Sequence, residues 1–174
     1  MASLTPINLW GYHLINGDTP ILNYSMPSAI STVPPDRCNN TALKKASRKL
    51  SQVYDDTVAP TGLKSTQVSV LFEIDRWNEA PPTMKDLAAA LVMDRSTLGQ
   101  NLRPLERDGL IALEEHPSDA RSKHVVLTRA GKKKVAEAAV LWSQAQKRFE
   151  KIFGTKEAEA LRTVLLAIAN SSEL

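Results

Sequence analysis

The sequence predicts a mainly α-helical protein with one small β-hairpin, an α+β fold in which a winged helix-turn-helix is flanked by terminal helices. Two short amphipathic segments joined by a tight turn fall between Thr83 and Asp108, and two β-rich segments around a polar turn follow between Leu110 and Leu127. Apolar residues at helical spacing continue on both sides of this region. These patterns, in this order, predict the fold class.

The helix-turn-helix is predicted from two short helices and the residues that begin and end them. The first helix occupies residues 84–91 after Thr83, whose hydroxyl can accept a hydrogen bond from a first-turn N–H group. Asp94 is placed to cap a second helix over residues 95–108. Gly109 ends this helix, because glycine accepts the left-handed conformation found just past helix C-termini. Two helices joined by so short a turn are typical of a helix-turn-helix.

The wing is predicted from two segments of β-forming residues. Residues 110–116 form the first strand, and residues 123–127 form the returning strand. The intervening residues 117–122 are polar and turn-forming. Thr128 follows and is placed to cap the next helix. A hairpin directly after a helix-turn-helix predicts a winged helix, whose second helix enters the major groove of DNA while the hairpin reaches the flanking backbone or minor groove.

Three motifs carry a resemblance to a known family. They are LRPLERDGLI at residues 102–111, Asp-Ala-Arg at residues 119–121 and LTRAG at residues 127–131. Together and in this order they resemble the signature of the MarR family of transcriptional regulators, over roughly Cys38 to Leu166. The resemblance implies a dimeric winged-helix regulator that binds an inverted repeat in double-stranded DNA. Most members are repressors that small ligands or oxidants release from DNA.

The second helix presents a polar side that is suited to reading bases. Its members lie three or four residues apart: Ser96, Thr97, Gln100 and Asn101. Glutamine and asparagine can pair with adenine through two hydrogen bonds, while serine and threonine contact bases or phosphates. We expect Arg95 and Arg103 to flank this side, with Arg103 reaching a phosphate. Gly99 allows a close approach of the backbone either to DNA or to a neighbouring helix.

The resemblance also assigns roles in the wing. Arg121 resembles the family's wing arginine, which enters or flanks the minor groove. Asp119 resembles the acid that orients that arginine, and Lys123 is a candidate for contact with the DNA backbone. Charge supports this placement. The segment from Arg95 to Lys134 contains nine basic and five acidic residues, whereas the whole chain contains 22 basic and 19 acidic residues.

Two triggers for release stay open. Cys38, the single cysteine, precedes the first helix. In the hydroperoxide-sensing branch of the family, the reactive cysteine would fall nearer Asn40, and this chain has no second cysteine to resolve a sulfenic acid. The sequence therefore favours a small, aromatic or phenolic effector over oxidation of Cys38. Tyr54, Trp77 and Arg48 are candidates to line its pocket, but each fits the core or the surface equally well, so the sequence does not assign the residues that bind this effector.

Other function classes are less well supported. The chain has no nucleophile elbow, phosphate-binding glycine loop or paired catalytic carboxylates, so we expect neither an enzyme nor a cofactor. The three histidines, His13, His116 and His124, lack metal-ligand spacing. No apolar run is long enough to cross a bilayer and the first basic residue is Arg37, so we expect a soluble cytoplasmic protein. A winged-helix module that binds protein instead of DNA is a further alternative, but it would be expected to lose the polar side of the second helix.

The domain organisation follows from shifts in composition and period. Residues 1–37 form a proline-rich extension that we expect to dock on its own domain or on a dimer partner, and residues 38–62 form an N-terminal dimerisation helix. The winged helix-turn-helix occupies residues 63–131. Residues 132–174 form C-terminal dimerisation helices, the last of which is predicted to be capped by Thr155. Apolar residues left over in these terminal helices predict a homodimer.

Overall fold

The computed structural model describes residues 37–77, 80–116 and 119–173, so the prediction that the extension docks lies outside the described residues. The elements below belong to one unit, Asn39–Leu174. Six helices and one hairpin follow in the order α1 (Asn39–Val58), α2 (Ser65–Arg76), α3 (Met84–Ala90), α4 (Arg95–Arg107), β1 (Ile111–His116), β2 (Asp119–Leu127), α5 (Arg129–Phe153) and α6 (Thr155–Ala169). Within the described ranges, no helix is both long and apolar enough to cross a membrane.

One apolar core joins the helix-turn-helix to the wing and to the long helix α5. Val68 and Leu71 of α2, Leu87 of α3 and Val125 of β2 are fully buried in it. Ala138 of α5 is buried in the same core, and the partly buried side chains of Val135, Leu141 and Trp142 pack against it. The mainly α-helical fold with a single antiparallel hairpin is the one that the sequence predicted.

The predicted caps of the helix-turn-helix form as local hydrogen bonds. The Thr83 hydroxyl accepts from the backbone N–H of Asp86 at 3.2 Å, and the Asp86 carboxylate accepts from the backbone N–H of Thr83 at 2.9 Å. The two bonds together form a reciprocal cap. In the turn that follows, Val92 has a φ of 51°, a left-handed conformation that is costly for a β-branched residue. The N–H of Met93 donates to the carbonyl of Ala88 at 2.9 Å and closes this turn.

Gly109 follows the second helix with a φ of 68°, the left-handed conformation predicted for it, but the helix itself ends at Arg107, one residue earlier than predicted. Asp108 is the C-cap and lies outside the helix, and the first strand begins at Ile111, one residue later than predicted. The reason is that the N–H of Leu110 donates to the carbonyl of Leu105 at 2.8 Å, so it closes the end of α4 and does not join the hairpin.

The prediction that residues 117–122 form the turn of the wing is wrong. The second strand already begins at Asp119, which pairs with His116, and the register is irregular between Glu115 and His116. The hairpin therefore extends closer to its tip than composition indicated, because strand pairing overrides the local preference of polar residues for turns. At the base of the wing, the N–H of Val125 donates to the carbonyl of Pro82 at 2.9 Å, which ties the wing to the entry of α3.

Thr128 joins three elements at one point. Its hydroxyl donates to the carbonyl of Gly109 at 2.7 Å and accepts from the N–H of Gly131 at 3.0 Å, so it caps α5 as predicted. Its own N–H donates to the carbonyl of Leu110 at 3.1 Å. The predicted cap of the last helix is wrong, however, because Gly154 holds the N-cap position and Thr155 is already helical.

Gly131 explains why α5 can begin so close to the end of α4. A Cβ atom at this position would lie 2.0 Å from the carbonyl oxygen of Leu110, a backbone atom that cannot move aside cheaply. The start of α5 therefore needs glycine for close approach, since no positive φ is involved.

We predict that Gly131→Ala destabilises the protein by about 1–3 kcal/mol, because the added methyl group overpacks the junction. Gly99→Ala is the matched control. No described group beyond its own helix lies within 4 Å of the added Cβ, so this change should raise stability by up to about 1 kcal/mol through helix propensity. Urea unfolding followed by circular dichroism measures both. Equal free energies of unfolding for Gly131→Ala and wild type would contradict the close approach.

Candidate nucleic-acid interface

The orientation of α4 is fixed by three buried leucines on one side. Leu98 and Leu105 are fully buried and Leu102 is 4% exposed. Because these residues recur at helical spacing, the opposite side of α4 must face outward. The helix places there the polar residues that the sequence predicted. Ser96, Thr97 and Gln100 are exposed, and Asn101 is partly buried.

The first turn of α4 is organised by Asp94. Its carboxylate accepts three hydrogen bonds, from the Ser96 hydroxyl at 2.6 Å, the Thr97 hydroxyl at 2.6 Å and the Thr97 backbone N–H at 2.8 Å. The bonds from the Ser96 and Thr97 hydroxyls, followed by the backbone bond, hold the pKa of the Asp94 carboxyl far below its ordinary value. The capping role of Asp94 was predicted, but the hydrogen bonds that it accepts from the Ser96 and Thr97 hydroxyls were not.

The amide of Asn101 is partly engaged within the helix. Its Nδ2 atom donates to the carbonyl of Thr97 at 2.9 Å. This bond fixes the rotamer of Asn101 and leaves its carbonyl oxygen and its second N–H for an outside partner. Asn101 and Gln100 together can offer both donors and acceptors, as the N6 amino group and the N7 atom of adenine in the major groove require.

Gly99 lies between these polar residues in the sequence of α4 and is partly buried. Among the described residues outside its own helical turns, none comes within 4 Å of a Cβ built at Gly99. Packing against a neighbouring helix therefore does not account for the glycine. Close approach of the helix backbone to DNA, the other role expected from the sequence, stays a prediction.

Exposed basic residues lie on α4 and on the wing. Arg95, Arg103 and Lys123 are exposed, and they take part in none of the ion pairs formed among the described residues. Arg107 differs, because its Nε donates to the Asp108 carboxylate at 2.9 Å, and this hydrogen bond raises the pKa of the guanidinium. Unpaired cations beside an outward polar helix can bind phosphate groups.

The wing places the backbone of Asp119 and Arg121 in β2. The side chains of these two residues lie outside the described part of the structure, so the orientation of Arg121 by Asp119 stays a prediction. Lys123 pairs with Glu115 in the register of the hairpin and is exposed.

Lys134, near the start of α5, forms two contacts within the chain. Its Nζ donates to the carbonyl of Thr61 at 3.0 Å and to the Glu137 carboxylate at 2.8 Å. Lys134 therefore ties α5 to the segment between α1 and α2, while Lys132 and Lys133 are exposed.

A cavity of about 270 Å³ lies among α1, α5 and α6. Its walls are mainly apolar, formed by residues that include Leu50, Phe149 and Leu165. Tyr54 lines the cavity and donates its hydroxyl to Gln146, and Arg162 and Glu150 add one charge of each sign. Burial raises the pKa of Tyr54, so its hydroxyl is protonated at neutral pH. The sequence named Tyr54 as a pocket candidate but missed Arg162, since nothing local links these two residues.

A second cavity of about 230 Å³ lies between the end of α2, the base of the wing and the start of α5. Trp77, another pocket candidate from the sequence, lines it together with Asp75 and Lys132. Arg48, the third candidate, is exposed on α1 and lines neither cavity.

Cys38 is half-buried and directly precedes α1 in the chain. Within the described residues, no three histidine, cysteine or acidic side chains cluster in a way that could hold a metal ion. Of the histidines considered from the sequence, His13 and the side chain of His116 lie outside this description.

Comparisons with known proteins give one consistent result. The sequence model of the MarR family matches residues 61–122. The M. tuberculosis transcriptional regulator MosR, solved in complex with DNA, is 31% identical, and the match covers 78% of this chain and 96% of that chain with a TM-score of 0.69. The transcriptional repressor CouR, bound to a 23-mer DNA duplex, is 28% identical over 82% of this chain and 100% of that chain, with a TM-score of 0.71.

A more distant structure shares the fold. CouR from Rhodococcus jostii RHA1 bound to p-coumaroyl-CoA is 19% identical over 80% of this chain and 96% of that chain, with a TM-score of 0.69. The search of curated protein sequences found no match.

Proposed function

Since this chain belongs to the MarR family of DNA-binding transcriptional regulators, we propose that it is a homodimeric, sequence-specific repressor that a small aromatic ligand releases from DNA. The observation that carries the proposal is the outward polar side of α4, which three buried leucines hold in place. Regulators of this family act by binding, and we propose no catalysed reaction. Since regulators of this family meet DNA in the cytoplasm, the proposal also locates the protein there.

In the proposed complex, α4 enters the major groove and the wing lies over the adjacent backbone or minor groove. Gln100 and Asn101 contact base edges, and Gly99 lets the helix backbone approach closely. Arg95, Arg103 and Lys123 contact phosphates, together with Arg121 at the wing. The DNA complexes of MosR and CouR support DNA binding by this fold, because the match covers nearly the full length of both proteins.

The proposed dimer is supported by apolar side chains that the terminal helices leave exposed. Ile152 and Phe153 at the end of α5 are 64% and 54% exposed. On α6, Val164, Leu166 and Ile168 are 56%, 55% and 45% exposed. Large apolar groups exposed in this number on two successive helices indicate an interaction surface. We propose that a second copy of the chain covers this surface, which we call the α5–α6 apolar surface.

The proposed effector site is the cavity among α1, α5 and α6. Its volume suits a compound with a single aromatic ring, which Leu50, Phe149 and Leu165 would enclose. The Arg162 guanidinium would bind an anionic end of the ligand. The hydrogen-bonded pair of Tyr54 and Gln146 would form hydrogen bonds with a phenolic group of the ligand. Since this cavity lies between the helices of the proposed dimer region, a ligand in it can favour one dimer geometry over another.

We predict that the protein selects an inverted repeat whose half-sites lie about 10 base pairs apart, when it is tested first on its own upstream region and then on random duplexes. Gln100→Ala or Asn101→Ala should reduce discrimination between bases by about 1–3 kcal/mol at the affected position. Lys123→Ala and Arg121→Ala should weaken binding to all sequences. Each should also reduce the slope of the logarithm of the binding constant against the logarithm of the salt concentration, by about 0.9 for each phosphate that the variant no longer neutralises.

Lys49→Ala, which removes an exposed cation from α1, is the matched control and should bind as wild type does. The proposed function is wrong if wild type selects no sequence, and the proposed interface is wrong if the α4 and wing variants bind with unchanged affinity and selectivity.

We predict a light-scattering mass of twice the 19.1 kDa of one chain at micromolar concentration. Val164→Glu places a charge within the α5–α6 apolar surface and should shift the mass toward that of one chain, because burying an unpaired carboxylate is costly. Val92→Asn removes an exposed apolar side chain from the turn of the helix-turn-helix and should leave the dimer intact. A wild-type mass near 19.1 kDa would contradict the dimer.

We predict that the effector, and not oxidation of Cys38, controls release. In a screen of hydroxybenzoic and hydroxycinnamic acids, active compounds should release wild type and Cys38→Ser from DNA equally. Arg162→Met should bind DNA normally but need at least about tenfold more ligand, because methionine cannot donate a charged hydrogen bond to the ligand. If mild peroxide releases wild type and not Cys38→Ser, the ligand-responsive mechanism is wrong and Cys38 is the sensor.

A further inference from the structure

The hydrogen bonds of Asp94 fix the direction of two hydroxyl protons on the outward side of α4. The Asp94 carboxylate lies 2.6 Å from both the Ser96 and the Thr97 hydroxyl oxygens. An ionised carboxylate has no proton to give, so both hydroxyls must be the donors. The depressed pKa of Asp94 keeps this carboxylate ionised at neutral pH. Each hydroxyl therefore has its proton engaged and offers only lone pairs to an outside partner.

This restriction matters because few groups on DNA can donate to a hydroxyl oxygen. In the major groove, the exocyclic amino groups of adenine and cytosine are the donors, whereas N7, O6 and O4 of the bases accept. The phosphate oxygens accept as well. A hydroxyl that offers only lone pairs can pair with an amino group but not with a phosphate.

We propose that Asp94 is a specificity-determining positioning residue, which makes Ser96 and Thr97 obligate acceptors so that the first turn of α4 selects adenine or cytosine amino groups. The proposal rests on the proposed function, since it requires α4 to lie in the major groove. Asp94 acts through the two hydroxyls and need not touch DNA.

Charge acts in the same direction. The first N–H groups of a helix attract phosphate, and unpaired helix N-termini are common anion sites. Here the Asp94 carboxylate already accepts from the Thr97 N–H at 2.8 Å and adds a negative charge. The start of α4 is therefore unsuited to anchoring a phosphate, which leaves Ser96 and Thr97 available to the bases.

Asp94→Asn separates this role from helix capping. Asparagine is as good an N-cap residue as aspartate, so its oxygen can keep the bond from the Thr97 N–H. Its Nδ2 group donates, however, and therefore turns at least one hydroxyl into an acceptor toward residue 94 with its own proton free to point at DNA. The variant should retain the fold and change the bases that the first turn prefers.

The experiment uses full-length protein and the duplex that wild type selects from a random pool. Each adenine in a half-site is replaced in turn by purine, and each cytosine by 2-pyrimidinone, which removes only the amino group. For wild type we expect at least one position where the loss of the amino group weakens binding by about five- to tenfold. On the same duplex, the double variant Ser96→Ala, Thr97→Val should show a penalty of less than about twofold, because its first turn offers no hydroxyl acceptor. Asp94→Asn should lower the penalty wherever the hydroxyl that its Nδ2 group redirects is the one that pairs with the amino group.

Gln100→Ala is the matched control, because it removes a neighbouring base contact and leaves Asp94, Ser96 and Thr97 in place. It should keep the wild-type penalty at that position. The inference is overturned if no amino group matters to wild type, if the double variant keeps the full penalty, or if a folded Asp94→Asn keeps the full penalty at every position. The first two outcomes do not depend on whether Asp94→Asn folds. Failure of wild type to select any duplex would instead overturn the proposed function.

Discussion

The arrangement of this domain depends on the hydroxyl of Thr128. It donates to the carbonyl of Gly109 at the end of α4 and accepts from the N–H of Gly131 at the start of α5. The glycine at position 131 lets the two helices approach closely enough for both bonds to form. Because the wing lies between the end of α4 and the start of α5 in the sequence, the same junction sets the angle between α4 and the hairpin. The spacing of any α4 and wing contacts to DNA is therefore fixed by a few backbone groups.

A second constraint converts this arrangement into a binding surface. Burial of Leu98, Leu102 and Leu105 leaves only one side of α4 for outside contacts. Polar residues on that side are not equally free, since Asp94 engages two hydroxyls and Asn101 is bonded to the helix backbone. Preorganised side chains lose less conformational freedom on binding than solvated ones. The surface that results is a rigid, polar helix edge with cations beside it.

Local interactions explain which parts of this structure the sequence predicted. The caps at Thr83 and Asp94 were predictable, because each depends on residues three positions apart. The early start of β2 at Asp119 was not, since it depends on pairing with the other strand. The cap at Thr155 failed because Gly154, with a φ of 94°, takes the N-cap position instead. The cavity among α1, α5 and α6 was the least accessible to sequence reasoning, because it combines residues from three separate helices.

The central claim is that the outward side of α4 and the wing form the DNA-binding surface. Nuclear magnetic resonance tests it directly, by following backbone amides and the side-chain amides of Gln100 and Asn101 while the selected duplex is added. The account predicts that the largest shifts fall on residues 95–103 and 119–124, with both side-chain amides affected. Specific binding with unchanged signals in these two segments, and with the largest shifts in α1 or α6, would contradict it.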